Sequence, residues 1–164
     1  MKAFIDSSVL VAAVHSPGGV CRELVYFLAG NEPLGFSPVR CTTSQRVMDE
    51  LVYVLVRKFS YTPQRAAEKA DQIAAMLKIT PATEAPAPGL DEPENWLLAE
   101  ARASGCDYFI TADRFVLRIY AVDGMRIVTP REVLDWIFMA RPIPRFEVHE
   151  ERAAYMVARL ESVI

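Results

Sequence analysis

The chain opens on a short apolar run that ends at an acid, in the stretch Lys2-Ala3-Phe4-Ile5-Asp6-Ser7-Ser8. Residues 2–5 are predicted to form a strand, and a short helix is predicted to follow through residue 14. A second apolar run ends in a similar way, in Tyr108-Phe109-Ile110-Thr111-Ala112-Asp113. Ligands of open α/β sheets gather beyond the carboxyl ends of the strands. The two acids that follow these runs are therefore the first candidates for a functional site.

Short apolar runs alternate along the chain with segments of helical periodicity, which predicts an α/β fold around a mainly parallel central sheet. Strands are predicted near residues 2–5, 36–42, 108–111 and 126–128. Helices are predicted near residues 6–14, 20–29, 44–58, 63–77, 94–104, 113–120 and 130–140. Thr62 and Thr129 precede two of these helices as caps, each with a proline at the first helical position.

The composition is that of one core-forming domain. The chain has 164 residues, of which 52% are apolar and 24% charged, and this balance excludes a disordered or collagen-like chain. The net charge of −3 excludes a uniformly basic nucleic-acid binder. A nucleic-acid partner would have to be held by a local basic patch or by metal ions.

Three cysteines without a C-x-x-C pair are more typical of a reduced cytosol than of a secreted disulfide scaffold. Asp6 and the two serines after it interrupt the apolar start, which argues against a signal peptide. The longest other apolar run, residues 51–56, is far shorter than a membrane span. We therefore expect a cytoplasmic protein without a membrane partner.

Each candidate acid also has a structural interpretation. Asp6 and Asp113 are equally well placed as N-caps of the helices that follow them. On the helix from residue 44, Glu50 lies at the border of the apolar arc, and an exposed ridge with an Arg46–Glu50 pair explains it as well. Glu94 shares a face with the apolar residues of its helix, or serves as an acid in the first helical turn. Glu100 is predicted to face away from that apolar side.

Five motifs follow one another in a fixed order along the chain. They are Phe4-Ile5-Asp6-Ser7-Ser8-Val9-Leu10, Ser16-Pro17-Gly18-Gly19, Val47-Met48-Asp49-Glu50-Leu51, Asp91-Glu92-Pro93-Glu94-Asn95 and Tyr108-Phe109-Ile110-Thr111-Ala112-Asp113. Together they resemble the PIN-domain family, and within it the branch of toxins from toxin–antitoxin systems. The resemblance runs from residue 1 to about residue 137.

The resemblance implies a Rossmann-like α/β/α sandwich fold. It also implies an enzyme that cuts RNA, with acidic side chains that hold Mg²⁺ or Mn²⁺. Such acids repel one another unless a cation lies between them. The site acids that it implies are Asp6, Glu50, Glu94 and Asp113. Its supporting positions are Ser8, Asn95 and Thr111. The family usually has aspartate at the position of Glu94, whose side chain is longer by one methylene.

The function that this resemblance implies is a metal-dependent endoribonuclease, the toxin of a toxin–antitoxin pair. Its partners would be an RNA substrate and a cognate antitoxin. The arginines expected to contact substrate are Arg46, Arg57 and Arg114, although solvated surface arginines explain them equally well. The alternative is a PIN-fold module that binds RNA or regulates without cutting. A haloacid-dehalogenase phosphatase is disfavoured because Asp6 is not followed by the second aspartate of a D-x-D motif.

Other chemistries lack their motifs. No P-loop and no G-x-G-x-x-G is present, so a nucleotide cofactor is unsupported. His15 and His149 lack zinc-ligand spacing. Cys21 and Cys106 are better interpreted as small apolar residues than as nucleophiles.

The end of the chain is expected to be an appendage to a catalytic domain formed by residues 1–140. Residues 141–164 are predicted to form a linker and an amphipathic helix. Its apolar stripe consists of Ala153, Val157, Leu160 and Ile164. A helix of this length is marginal in water by itself, so the stripe must pack on its own domain or on a partner. We expect it to take part in a homodimer, since closed twofold dimers are the commonest oligomers.

Overall fold

A mixed six-stranded sheet organises the described part of the protein. The computed structural model describes residues 1–28, 39–82 and 94–139, and the side chains of all of these except residues 94 and 95. The strands are β1 (Lys2–Ile5), β2 (Arg40–Ser44), β3 (Lys78–Thr80), β4 (Tyr108–Ile110), β5 (Ala121–Val122) and β6 (Met125–Val128). The helices are α1 (Ser7–His15), α2 (Val20–Leu28), α3 (Gln45–Phe59), α4 (Pro63–Ala74), α5 (Glu94–Ala103) and α6 (Pro130–Met139), with a 3₁₀ turn at Val116–Ile119.

The strand order is β3-β2-β1-β4-β6-β5, and every pairing is parallel except that of β5 with β6. The chain moves outward from β1 to β2 and β3, and then returns through α5 to β4 on the other side of β1. Crossovers between parallel strands are right-handed, so this reversal places α5 on the opposite face from α1 to α4. The reversal point between β1 and β4 is where open α/β sheets bind ligands. The predicted α/β/α fold with a mainly parallel sheet is confirmed.

The centre of the sheet is held by aromatic and aliphatic side chains from both sides. Phe4 lies opposite Phe109 in the β1–β4 pairing, and their rings stack at 5.6 Å. From α3, Leu51 and Leu55 are fully buried in the same core, as their helical spacing predicts. The last residues of the two strands, Ile5 and Ile110, are paired, so the acids that follow them lie at the same edge of the sheet.

Local signals located the starts of α4 and α6 correctly. Thr62 Oγ1 accepts a hydrogen bond from the Arg65 N–H, and Pro63 is the first residue of α4, as predicted. At α6, Thr129 and Glu132 form a capping box, in which each side chain accepts from the other residue's backbone N–H.

Other predictions need correction. The helix predicted to run to residue 77 ends at Ala74, and the strand β3 that follows was not predicted. With three residues, β3 is too short to show an alternating pattern. The strand β5 was also missed. It belongs to a hairpin whose Asp123-Gly124 turn has positive φ at both residues, as a type I′ turn requires.

The expectations for the end of the chain and for membrane-spanning segments stand as follows. The predicted helix within residues 141–164, and with it the boundary after residue 140, lies outside the described residues. Within the described ranges, no helix is both long and apolar enough to cross a membrane.

Candidate active site

Asp6 is held by three hydroxyl groups at the carboxyl end of β1. The Ser8 Oγ donates to Asp6 Oδ2 at 2.5 Å, and the Thr111 Oγ1 donates to the same oxygen at 2.6 Å. The Ser7 Oγ makes a longer bond to Oδ1, at 3.3 Å. Although Asp6 precedes α1, its side chain makes no capping bond to that helix. The N-cap interpretation of this acid is therefore not supported.

Backbone groups orient two of the three hydroxyls that hold Asp6, those of Ser8 and Thr111. The Ala112 N–H donates to Ser8 Oγ at 3.0 Å, and the Asp113 N–H donates to Thr111 Oγ1 at 3.0 Å. Each hydroxyl thus accepts from the loop after β4 and directs its own proton to the carboxylate. The Thr111 N–H also donates to Val128 O at 3.0 Å, so the loop that carries these groups is bonded to the neighbouring strand β6.

Burial dominates the electrostatics of Asp6. Its exposed fraction is 4%, and loss of solvation raises the pKa of its carboxyl above the usual value, although the bonds from Ser8, Thr111 and Ser7 act in the opposite direction. A nearby cation would stabilise the ionised form of this buried carboxylate, since a positive charge favours the charged state of an acid.

Asp113 and Glu50 line the same cleft as Asp6. The cleft has a volume of about 1000 Å³, and its charged lining consists of Asp6, Arg46, Asp49, Glu50, Lys58 and Asp113. One oxygen of Asp113 accepts from the Phe115 N–H at 2.7 Å, so this acid also fixes the turn that follows it. The helix α3 and the ends of β1 and β4 thus bring Glu50, Asp6 and Asp113 to one opening. Glu94 begins α5, and its side chain is not among those that the structure describes.

The arginines expected at the substrate differ in their positions. Arg46 lines the cleft, whereas Arg57 and Arg114 are exposed and do not belong to the cleft lining among the described residues. The Arg46 Nε donates to Glu100 Oε1 at 2.9 Å, and its guanidinium carbon lies 4.7 Å from the centre of the Trp96 ring. Of these three arginines, Arg46 is the one that the described structure places at the acids.

Glu100 is buried, contrary to the orientation that helical periodicity predicts for it. It was predicted to face away from the apolar side of its helix, yet it is 1% exposed. The Ser44 Oγ donates to its Oε2 at 2.5 Å, while Arg46 binds its other oxygen. The apolar arc of α5 at Leu97, Leu98 and Ala101 is buried as predicted. The error arose because the end of β2 and the first turn of α3 cover a second side of the helix.

The cysteines fit the packing interpretation. Cys106 is buried, and loss of solvation raises the pKa of its thiol to about 11. Burial also raises the pKa of the half-buried Cys21. The thiolate, which is the nucleophilic form, is disfavoured at both positions.

The donor atoms at the acids suit a hard cation. They are oxygens throughout, and Mg²⁺ prefers oxygen ligands, keeps several waters and typically takes one or two carboxylates directly. Among the described side chains, no group of three or more His, Cys, Asp or Glu could by itself hold a metal ion. The carboxylate oxygens of Asp6, Glu50 and Asp113 in the cleft lining are of the type that Mg²⁺ prefers.

The sequence matches a known family at these same positions. The chain belongs to the PIN-domain family, because the family model described as PIN domain matches residues 2–115, which include β1, β4 and the acids after them. No curated protein matches the chain.

Solved structures with similar folds come from bacteria and archaea. VapBC2 from Rickettsia felis, bound to a DNA fragment from its promoter, has a TM-score of 0.56 at 16% identity, covering 79% of this chain and 98% of that chain. A PilT N-terminus domain protein from Sulfolobus solfataricus has a TM-score of 0.50 at 13% identity, covering 88% and 100%. VapC20 from Mycobacterium tuberculosis, a toxin that cleaves the Sarcin-Ricin loop, has a TM-score of 0.49 at 17% identity, covering 76% and 98%.

Proposed function

We propose that the chain is a metal-dependent endoribonuclease whose site acids are Asp6, Glu50, Glu94 and Asp113. The observation that carries the proposal is the buried Asp6 carboxylate, fixed by Ser8 and Thr111 at the reversal point of the sheet in a chain that belongs to the PIN-domain family. A carboxylate that is buried and held in one orientation is costly for stability, and such groups concentrate at functional sites.

The chain's residues divide the work as follows. Asp6, Glu94 and Asp113 would hold Mg²⁺ or Mn²⁺, with Glu50 completing the set directly or through a water. Such an ion, when bound, lowers the pKa of a water and offsets charge on the phosphodiester. Ser8 and Thr111 orient Asp6, and Asn95 supports the acid beside it. Hydrolysis of this type leaves 3′-hydroxyl and 5′-phosphate ends.

We further propose that the chain is the toxin of a toxin–antitoxin pair and acts in the cytoplasm. The support is the family membership together with the fold likeness to VapBC2, which is a toxin–antitoxin complex by its name. A small neighbouring gene for a DNA-binding antitoxin would support this assignment. Co-expression of the two products should suppress the toxicity of this chain to its host, and toxicity that persists under co-expression would contradict the pairing.

A second candidate is a PIN-fold module that binds RNA without cutting it. Glu94 supports this alternative, because the resemblance places it where the family usually has aspartate. Incubation of the purified protein with RNA and Mg²⁺ or Mn²⁺ separates the two candidates. We expect cleavage that chelation stops and that Asp6→Asn abolishes.

The matched control is Asp135→Asn, which removes an exposed acid on α6, outside the cleft lining. It should cleave as the wild type does. Binding of RNA without cleavage in the wild type would favour the second candidate.

Metal binding has a readout that does not depend on activity. A ligand that binds the native state stabilises it by about 2.7 kcal/mol at 100 times its Kd. Mg²⁺ or Mn²⁺ should therefore raise the melting temperature of the wild type. Calorimetry that finds the same metal affinity in the Asp6→Asn/Asp113→Asn variant would show that these acids are not the ligands.

We also propose a homodimer to which the segment after Arg141 contributes. Light scattering on the full chain and on a truncation after Arg141 tests this. A dimeric full chain and a monomeric truncation are expected. A monomeric full chain would exclude the dimer, and an equally dimeric truncation would place the interface in residues 1–141.

A further inference from the structure

The Arg46 side chain at the cleft is held from two sides. Its Nε binds the Glu100 carboxylate, and its guanidinium lies over the Trp96 ring. The Arg46 side chain remains 40% exposed, whereas that of Glu100 is completely buried. A flexible arginine therefore has a defined orientation while part of its surface stays accessible from the cleft.

Stability alone does not account for this arrangement. Removing a carboxylate from water is costly, and a well-packed apolar residue often stabilises a protein as much as a buried ion pair does. Glu100 lies next to the apolar residues Leu97, Leu98 and Ala101 of α5, where one more apolar side chain would suit the core. The buried Glu100 carboxylate instead holds the Arg46 guanidinium in a defined position at the cleft.

The charges of the cleft indicate what that guanidinium would bind. Four acids in the lining repel a polyanion, and among the described lining residues Arg46 and Lys58 carry the positive charges. The planar guanidinium matches phosphate with two parallel hydrogen bonds, and an aromatic ring beneath it reduces its freedom. Glu50 follows Arg46 by four residues on α3, so the two side chains lie on the same side of that helix.

We infer that Arg46 binds a backbone phosphate of the RNA beside the acids, and that Glu100 is a positioning residue that, with Trp96, fixes Arg46 for this contact. The inference rests on the proposed function for the identity of the substrate. It assigns a backbone phosphate to Arg46, which the resemblance already implied as a substrate contact, and it adds Glu100, which acts through Arg46.

Binding without cleavage tests the Arg46 contact. In the Asp6→Asn background, a fluorescent single-stranded RNA is titrated at several KCl concentrations. Arg46→Ala should weaken binding about tenfold, because hydrogen bonds to charged groups are the stronger ones. It should also reduce the slope of log K against log[KCl] by about 0.7, the value for one phosphate contact on a single strand. Arg46→Lys, which keeps the charge, should retain the slope but lose affinity.

Arg65→Ala is the matched control. Arg65 is likewise an arginine over an aromatic ring, 4.8 Å from the centre of Tyr61, but it is exposed on α4 and does not line the cleft. It should leave both affinity and slope unchanged. An Arg46→Ala variant that matches Arg65→Ala in both quantities would overturn the inference.

Glu100→Gln tests the positioning role, since the amide keeps the shape and removes the charge. In cleavage assays run well below each variant's melting temperature, we expect KM to rise about tenfold with little change in kcat. The rise should disappear in an Arg46→Ala background, because residues acting through one contact are not additive. A KM effect of the same size with and without Arg46 would refute positioning. If the wild type cuts no RNA while Arg46→Ala still lowers the salt slope, the proposed function fails and the phosphate contact stands.

Discussion

Ser44→Ala is a small change with a large expected effect on stability. Ser44 is fully buried between β2 and α3, and its Oγ serves two purposes. It accepts from the Val47 N–H at 3.3 Å as the N-cap of α3, and it donates to the Glu100 carboxylate at 2.5 Å. The substitution removes both bonds and leaves almost no cavity, so the loss is one of hydrogen bonding.

The magnitude follows from the two bonds. Loss of an N-cap costs about 1 kcal/mol. A buried carboxylate that lacks one of its donors costs about 1–3 kcal/mol more. The free energy of unfolding should therefore fall by about 2–4 kcal/mol. For a chain of this size, that corresponds to a decrease in melting temperature of roughly 4–16 °C.

The assay is urea unfolding followed by circular dichroism, with Thr62→Ala as the control. Thr62 caps α4 through the same kind of bond, 3.2 Å long, but at an exposed position. Its loss should cost about 1 kcal/mol. The difference between the two variants isolates the carboxylate bond. Ser44→Ala and Thr62→Ala costing the same would refute the argument that Glu100 depends on Ser44.

Three further predictions concern single side chains. Thr111→Val removes a hydrogen-bond donor from the Asp6 carboxylate, so the pKa of Asp6 should rise further. Calorimetry should show that the Mg²⁺ affinity falls about 10–100-fold. An unchanged affinity would exclude a role of Thr111 in orienting the acid. Hydrogen bonds from Thr129 lower the pKa of Glu132, so this group contributes stability above its unfolded pKa that is lost as pH falls through its lower folded pKa. As the pH falls through the folded pKa of Glu132, the difference in free energy of unfolding between the wild type and Glu132→Gln should shrink to zero. A difference that does not change with pH would contradict the capping box. Glu94→Asp should keep or improve cleavage; if it abolishes activity while Glu94→Ala does not, Glu94 is not the third acid.

Most of the helices and the central strands were predictable because their signals are local. The capping hydroxyl of Thr62 and the proline after it act within one helical turn, so the start of α4 needed no information from the rest of the chain. Its end was misplaced, since a three-residue strand such as β3 acquires its structure from pairing with β2. Short strands at the sheet's edge carry too few residues for a pattern to appear.

The sequence alone determined that acids follow two buried strands, and that one face of each long helix is apolar. Both facts depend on spacing along the chain. Two contacts depend on the folded arrangement: the Thr111 hydroxyl binds Asp6 across 105 positions, and Glu100 is buried against Ser44 rather than exposed. Helical periodicity shows which residues share a face, but the number of covered faces depends on the elements packed around the helix. Contacts between distant elements depend on how the sheet brings the elements together, and that packing decided which polar groups meet at the cleft.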